Sequence, residues 1–267
     1  MAELDGKVAL VTGAAGAIGR EIVRALRASG ARVALVDMDA AGLKRLTADL
    51  GPGDDLAEFV VDLADDAAAT ALPARVRDHF GSLDALVNNA GTRQVKPMVD
   101  IDPQEWRHTL DIDLTAPFLL SRAAIPIMAA QGRGKIVNIA SMAGLAAFRD
   151  RAAYSCAKSA LIMLTKVTAV EHGADGIRAN AIAPGVVETA MTKEFFESED
   201  LTASIVANSP MRTWAQPSDI ADPVVYLAGP RSDFINGVVI PVDGGWTAGY
   251  VGAELSPKPK AEKRLEE

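Results

Sequence analysis

KVALVTGAAGAIG, residues 7–19, is an apolar run that ends in glycines and leads at once into a stretch carrying Ile22, Val23 and Leu26 on one helical face. A run of this length reads as a strand buried on both sides, and the spacing after it as an amphipathic helix. Strand, glycine turn and helix is the arrangement in which backbone N–H groups and the positive end of a helix meet a pyrophosphate. A second apolar run, residues 31–36, follows and ends at Asp37. A carboxylate there can accept hydrogen bonds from adenosine ribose hydroxyls and repels a 2′-phosphate, so NAD is expected in preference to NADP. A glycine turn alone also serves merely to pack a helix on a sheet; the βαβ context and the closing acid carry the nucleotide assignment.

The pattern continues outward. Strands are expected near 7–12, 31–36, 56–61, 84–88, 134–140, 177–183 and 238–242, alternating with helices. That alternation predicts an α/β fold, a single Rossmann-type doubly wound parallel sheet of about seven strands flanked by helices. Residues 1–252 are expected to form one dinucleotide-binding and catalytic domain, and 253–267 a charged tail, either mobile or laid over a neighbouring subunit. Asp102-Pro103-Gln104-Glu105 is a capping box that opens a helix. Pro117 and Pro126 should kink or interrupt that helix.

IVNIASMAGLAAFRDRAAYSCAKSAL, residues 136–161, supplies chemistry. A buried run delivers Ser141, and the following helix carries Tyr154 and Lys158 one turn apart, so phenol and ammonium share a face. A cation beside a phenol favours its ionised form, and a facing hydroxyl can hold a carbonyl or alcohol oxygen. A Tyr-x-x-x-Lys pair by itself is more often a surface feature than a catalytic one.

Thr12-Gly13…Gly19, Asp62-Leu63, Asn88-Asn89-Ala90-Gly91, Ser141, Tyr154-x-x-x-Lys158, Pro184-Gly185…Thr189 and Val242-Asp243-Gly244-Gly245 occur in that order. Together they resemble the short-chain dehydrogenase/reductase family over residues 7–247, with DIDLTAPF, GRGKIVNIASM and RTWAQPSDI similar to its gluconate 5-dehydrogenase branch. The resemblance implies an NAD(H)-dependent oxidoreductase interconverting a secondary alcohol and a ketone. Tyr154 would transfer the proton, Lys158 would assist it and bind the nicotinamide ribose, and Ser141 would hold the substrate oxygen. Cofactor contacts are implied at Gly13, Ala15, Ile18, Gly19, Asp37, Asp62, Leu63, Asn89, Ala90, Gly91, Pro184, Gly185, Val187 and Thr189, besides Tyr154 and Lys158. Read singly, Asp62 could be a helix cap, the Asn pair a strand-end turn and Pro-Gly a loop.

Two positions depart from the family pattern. Ala17 stands where the middle glycine is common, with Gly16 before it. Asp113 stands where most relatives have an asparagine; it would position a water or the helix backbone behind Lys158, and its negative charge would oppose that of the lysine. Moving a phenol from about 10 to about 7 takes about 4 kcal/mol. A cation ~5 Å away at an effective dielectric of ~20 supplies roughly 3.3 kcal/mol. The positive nicotinamide ring is the natural second contributor.

Composition bounds the alternatives. The 267 residues, 49% hydrophobic, suit one α/β domain, and a net charge of −8 argues against a nucleic-acid partner. MAELDGKVALVTG does not read as a signal peptide, and no apolar run is expected to span a membrane. One cysteine, Cys156, suits a reducing cytoplasm and reads as a small buried core residue. His79, His108 and His172 lie far apart, so no metal site is expected. Residues 189–210 read as a lid over the substrate or a subunit contact. Arg93, Gln94, Arg149 and Arg151 flank the motif residues and could bind a carboxylate, phosphate or sulfonate, although a solvated arginine on a loop is the commoner case. With the resemblance to the gluconate 5-dehydrogenase branch, an anionic or polyhydroxylated substrate is preferred, with Gln94, Ser141, Arg149 and Tyr154 as candidate contacts. The family resemblance implies a homotetramer pairing the helices after Asp102 and after Ala152, although Leu161, Met163, Leu164 and Val167 could equally face the sheet. Other classes compatible with the sequence are a non-catalytic NAD-binding regulator and an epimerase or dehydratase that recycles its cofactor.

Overall fold

The computed structural model describes residues 3–249. The expected tail, 253–267, and the boundary at 252 lie outside the described residues. One sheet runs in the order β3-β2-β1-β4-β5-β6-β7, with β1 Val8–Thr12, β2 Arg32–Asp37, β3 Leu56–Val60, β4 Ala85–Asn88, β5 Gly134–Ile139, β6 Ile177–Pro184 and β7 Val239–Val242. All pairings are parallel. Each expected strand is present, its ends displaced by no more than one residue.

Alternation along β1 shows how the sheet is covered. Ala9 and Val11 face Ile22, Val23 and Leu26 of α1 (Ala17–Ala28) and Ile220, Val224 and Leu227 of α9 (Pro217–Ala228). Val8 and Leu10 face the other layer, with Leu72 and Val76 of α3 (Asp66–Phe80) and Leu120 and Ala124 of α5 (Ala116–Ala130). Leu43 and Leu46 of α2 (Ala40–Leu50) join the first layer, and Ala169 of α6 (Ala152–His172) the second. Burial on both faces is why these strands read as unbroken apolar runs.

Strand order reverses between β1 and β4, so the loops leaving their carboxyl ends diverge and open a crevice. Thr12 ties the two loops together. Its Oγ1 accepts from the N–H groups of Asn89 (2.9 Å) and Ala90 (3.0 Å) and donates to the Val87 carbonyl (3.3 Å). Gly13 has φ +65°, and a Cβ there would stand 2.9 Å from Ala90 Cα, so both conformation and contact require glycine.

The capping box forms as expected at the start of α4 (Pro103–Leu110). The interruption falls at Asp111–Thr115, a π-helical turn in which the Ala116 N–H reaches the Asp111 carbonyl. Pro117 is the cause: it has no N–H for the carbonyl four residues back, that of Asp113. Pro126, expected to kink the helix, lies within an unbroken α5. The carbonyl it leaves unpaired belongs to Arg122, on the exposed side. By length and composition the whole stretch Pro103–Ala130 could cross a membrane, contrary to expectation. Its buried Asp113 and its packing on α3 and α6 place it against the rest of the fold.

Candidate active site

A cleft of about 550 Å³ occupies the crevice. Its lining includes Gly13, Ile18, Gly19, Asp37, Asp62, Leu63, Asn89, Ala90, Gly91 and Thr189, brought together from five loops. Ala15 is not in the lining; its N–H donates to Asp37 Oδ2 at 3.0 Å and so aims that carboxylate. The other oxygen of Asp37 accepts from the Asp39 N–H, also at 3.0 Å. Ala17 opens α1 and borders the cleft without disturbing the turn.

Helix ends show that this cleft suits a dinucleotide. Asp39, Asp65 and Asp102 cap α2, α3 and α4. The N-terminus of α1, at Gly16, has neither a side-chain cap nor an acid in its first turn. Its N–H groups and positive dipole end are thus available to a pyrophosphate. Among the described residues, no lysine or arginine lines the cleft.

A second cavity, about 280 Å³, shares Ile18, Asn89, Gly91, Thr92 and Thr189 with the first. It gathers Ser141, Tyr154, Lys158, Asp113, Pro184, Gly185 and Val187. Ser141 follows β5 in extended conformation, its Oγ accepting from the Ala143 N–H at 3.1 Å. Gly144 brings that loop onto α6: a Cβ there would lie 2.8 Å from the Lys158 carbonyl carbon, and Ser159 Oγ donates to the Gly144 carbonyl at 2.9 Å. One helical turn separates Tyr154 from Lys158, whose Nζ stands 5.7 Å from the phenol ring centroid.

Lys158 is almost wholly buried. It donates to the Ile139 carbonyl at 3.0 Å and lies 2.9 Å from Asp113 Oδ1. Burial pushes the ammonium toward its neutral form, but the fields of Asp113 and Tyr154 and the contact with Asp113 more than offset it, holding Lys158 above the ordinary lysine range. The sequence suggests that Asp113 positions a water or the helix backbone behind Lys158; here its carboxylate meets the ammonium itself. A hydroxyl and a phenol bordering one cavity, with a cation beside the phenol, can hold an oxygen and carry a proton on or off it.

The opposite wall is aromatic and cationic. Arg93 and Arg151 place their guanidinium carbons 4.6 and 5.9 Å from the ring centroid of Phe195, which belongs to α7 (Lys193–Glu197). They come together because the Lys96 N–H donates to the Asp150 carbonyl at 2.8 Å, pinning the loop after β4 to the start of α6. Phe148 and Trp246 continue the wall, rings 6.2 Å apart. Thr189, Thr192, Phe195 and Ile205 bring the 189–210 segment over the cavity, with two helices, α7 and α8 (Glu199–Asn208). Ser198 divides them by capping α8.

Other sequence candidates fall elsewhere. The Arg149 side chain is 96% exposed, 4.0 Å from Asp150, and does not border the cavity. Gln94 does not border it either; its amide is buried with neither Oε1 nor Nε2 hydrogen-bonded. Cys156, expected in the core, is exposed. Two residues beyond Tyr154, it points to the far side of α6. Thr92, Phe148, Phe195 and Trp246 escape sequence reasoning. Each is placed by contacts with residues distant in the chain, which leave no local signal.

Residues 13–247 match the family model described as enoyl-(acyl carrier protein) reductase. The chain is 40% identical to D-threitol dehydrogenase of Mycolicibacterium smegmatis, covering 91% of this chain and 94% of that one. It is 39% identical to trans-4-hydroxycyclohexanecarboxylate dehydrogenase of Sinomonas cyclohexanicum, covering 91% and 93%. A crystal structure of gluconate 5-dehydrogenase from Burkholderia cenocepacia, in complex with NADP and tartrate, superposes with a TM-score of 0.87 at 30% identity over 92% of this chain and 97% of that one. With its seven-stranded parallel sheet and near full-length matches, the chain belongs to the short-chain dehydrogenase/reductase family of oxidoreductases, which work with a nicotinamide dinucleotide.

Proposed function

We propose that this protein is an NAD(H)-dependent dehydrogenase interconverting a secondary alcohol and a ketone, with a small polar or anionic substrate such as a sugar acid, polyol or hydroxylated ring acid. The observation that carries it is the junction of the two cavities: Ser141, Tyr154 and Lys158 face a space continuous with the dinucleotide cleft. Gly13, Ile18, Gly19 and the first turn of α1 would hold the pyrophosphate, Asp37 the adenosine ribose, and Pro184 to Thr189 the nicotinamide end. The bound cofactor supplies the hydride acceptor or donor. Ser141 holds the substrate oxygen, Tyr154 carries its proton, and Lys158 places a positive charge beside the phenol.

Asp37 at the end of β2 and the absence of lysine or arginine from the cleft lining support NAD. The NADP in the gluconate 5-dehydrogenase structure is a property of that protein. Arg93 and Arg151 at the reaction cavity support a substrate bearing a carboxylate or dense hydroxyls. A hydroxycyclohexanecarboxylate joins an apolar ring to a carboxylate, matching a wall of Phe148, Phe195 and Trp246 beside two guanidiniums. A homotetramer is supported by Met163, Val167 and Val170, exposed on one stripe of α6, and by Trp106 and Phe118 on α4 and α5. A cytoplasmic site fits the single thiol. The test is to incubate the protein with NAD⁺ and a panel of sugar acids, polyols, hydroxysteroids and cyclic alcohols while reading NADH absorbance. Net NADH separates a dehydrogenase from a regulator or from an enzyme that recycles its cofactor.

A further inference from the structure

Asp113 has no exposed surface, and Lys158 is 3% exposed. A buried ion pair offsets its desolvation only when the lone pairs outside the pair are also matched. Oδ1 of Asp113 faces Lys158 Nζ. Oδ2 is met by two donors from a single residue, the Thr92 N–H at 3.1 Å and the Thr92 hydroxyl at 2.8 Å. Gly91 gives them room, since a Cβ there would stand 2.7 Å from Oδ1 and 3.3 Å from Nζ. Thr92 also borders both cavities, at their junction.

We infer that Thr92 is a positioning residue of the reaction site, whose hydroxyl holds the Asp113 carboxylate turned toward Lys158 and so keeps the Lys158 ammonium beside Tyr154. The inference rests on the proposed dehydrogenase reaction. A buried carboxylate keeps its charge to the extent that donors face it. Without the Thr92 hydroxyl, the carboxylate is held by one donor fewer and is freer to turn away from Lys158, so the buried ammonium loses part of the field that sustains its charge. The phenol then has a weaker cation beside it, and alcohol oxidation, which needs its anion, rises only at higher pH. Among the described residues, the other charged or titratable groups around the pair are Tyr154 on α6, Arg93 and Arg151 at the reaction cavity, His108 of α4 at the cofactor cleft, and the exposed Asp111 of the same turn. Substitution at Thr92 leaves all of these in place.

The test uses Thr92→Val, which keeps shape and N–H but loses the hydroxyl, and Thr92→Ser, which restores it, in the full chain. Thr92→Ala replaces the valine variant if that one does not fold. With an alcohol that the wild type oxidises, the pH midpoint of kcat for Thr92→Val should move up by about half a unit, a three-fold loss below the midpoint, with KM for the alcohol nearly unchanged. Thr92→Ser should return the profile to the wild-type position. An unmoved profile in Thr92→Val, or a shift that Thr92→Ser shares, overturns the inference while leaving the dehydrogenase reaction standing. A second readout needs no turnover: thermal unfolding of Thr92→Val, Asp113→Asn and the double variant. Thr92→Val should lower the midpoint in the wild-type background and change it little in the Asp113→Asn background. Additive shifts overturn the inference. Should the wild type form no NADH from any alcohol, the reaction fails, and the thermal cycle alone decides what Thr92 does.

Discussion

Lys158 Nζ lies 2.9 Å from Oδ1 of Asp113, and the pair is sealed between α6 and the π turn that joins α4 to α5. Asp113 therefore sustains the charge of Lys158 at the same time as its field opposes the effect of that charge on Tyr154. At full burial, an ammonium without this partner would be driven toward its neutral form.

Asp113→Asn should accordingly lower the unfolding free energy at neutral pH, on the order of 3 kcal/mol for a buried pair that loses one member. Because Lys158 is raised in the folded protein, its contribution is present below the unfolded lysine value of about 10.4 and is lost as pH rises through the folded value. Denaturant unfolding of both proteins from pH 8 to 11 should show the wild type holding its stability up to about pH 10.4 and losing it above, while the variant, with Lys158 driven toward its neutral form, gains stability as pH rises toward 10.4, so that the gap narrows across the range. A difference between them that does not vary with pH would mean that the pair is not ionised as described.

On the proposed function, Asp37 sets the cofactor choice. Replacing it with Ser should weaken NAD binding about ten-fold, the loss of charge-assisted hydrogen bonds, and narrow the gap to NADP. Fluorescence titration with NADH and NADPH measures both. Equal affinity of the wild type for the two would remove the basis for assigning NAD.

On the proposed function, the two arginines read the charge of the substrate. Arg93→Ala and Arg151→Ala should each raise KM at least ten-fold for 4-hydroxycyclohexanecarboxylate or gluconate, about 1.4 kcal/mol of charge-assisted contact, and much less for cyclohexanol. Equal effects on charged and neutral alcohols would reassign both residues to supporting Phe195.

The proposed homotetramer would use the apolar stripe on α6. Light scattering at micromolar concentration should give a tetramer, and Val167→Asp should dissociate it, since a charge would enter an apolar contact. A wild-type monomer would leave Met163, Val167 and Val170 as solvent-facing side chains.

Much of this is legible in the sequence, for a physical reason. Strands buried on both faces announce themselves as unbroken apolar runs, and the turn at Gly13 needs a residue that tolerates φ +65° and a neighbouring backbone at contact distance. The pairing of Tyr154 with Lys158 follows from helical periodicity alone. What escapes is set by contacts far apart in the chain. The π turn that buries Asp113 arises from a missing N–H at Pro117, and its partner Thr92 lies 21 residues earlier on another loop. Arg149 and Arg151 are indistinguishable in sequence, yet only Arg151 reaches the cavity. The exposed face of Cys156 would have followed from its spacing from Tyr154.

The central claim is that Tyr154 carries the proton in an NAD-dependent alcohol oxidation, and NADH formation by the wild type and Tyr154→Phe tests it most directly. Loss of the general acid/base should cut kcat by at least about 100-fold while NADH affinity stays within about two-fold. Net NADH from the wild type, with that loss in the variant, is the predicted result. Turnover retained by Tyr154→Phe, or a wild type that forms no NADH from any alcohol while binding the cofactor, would contradict it.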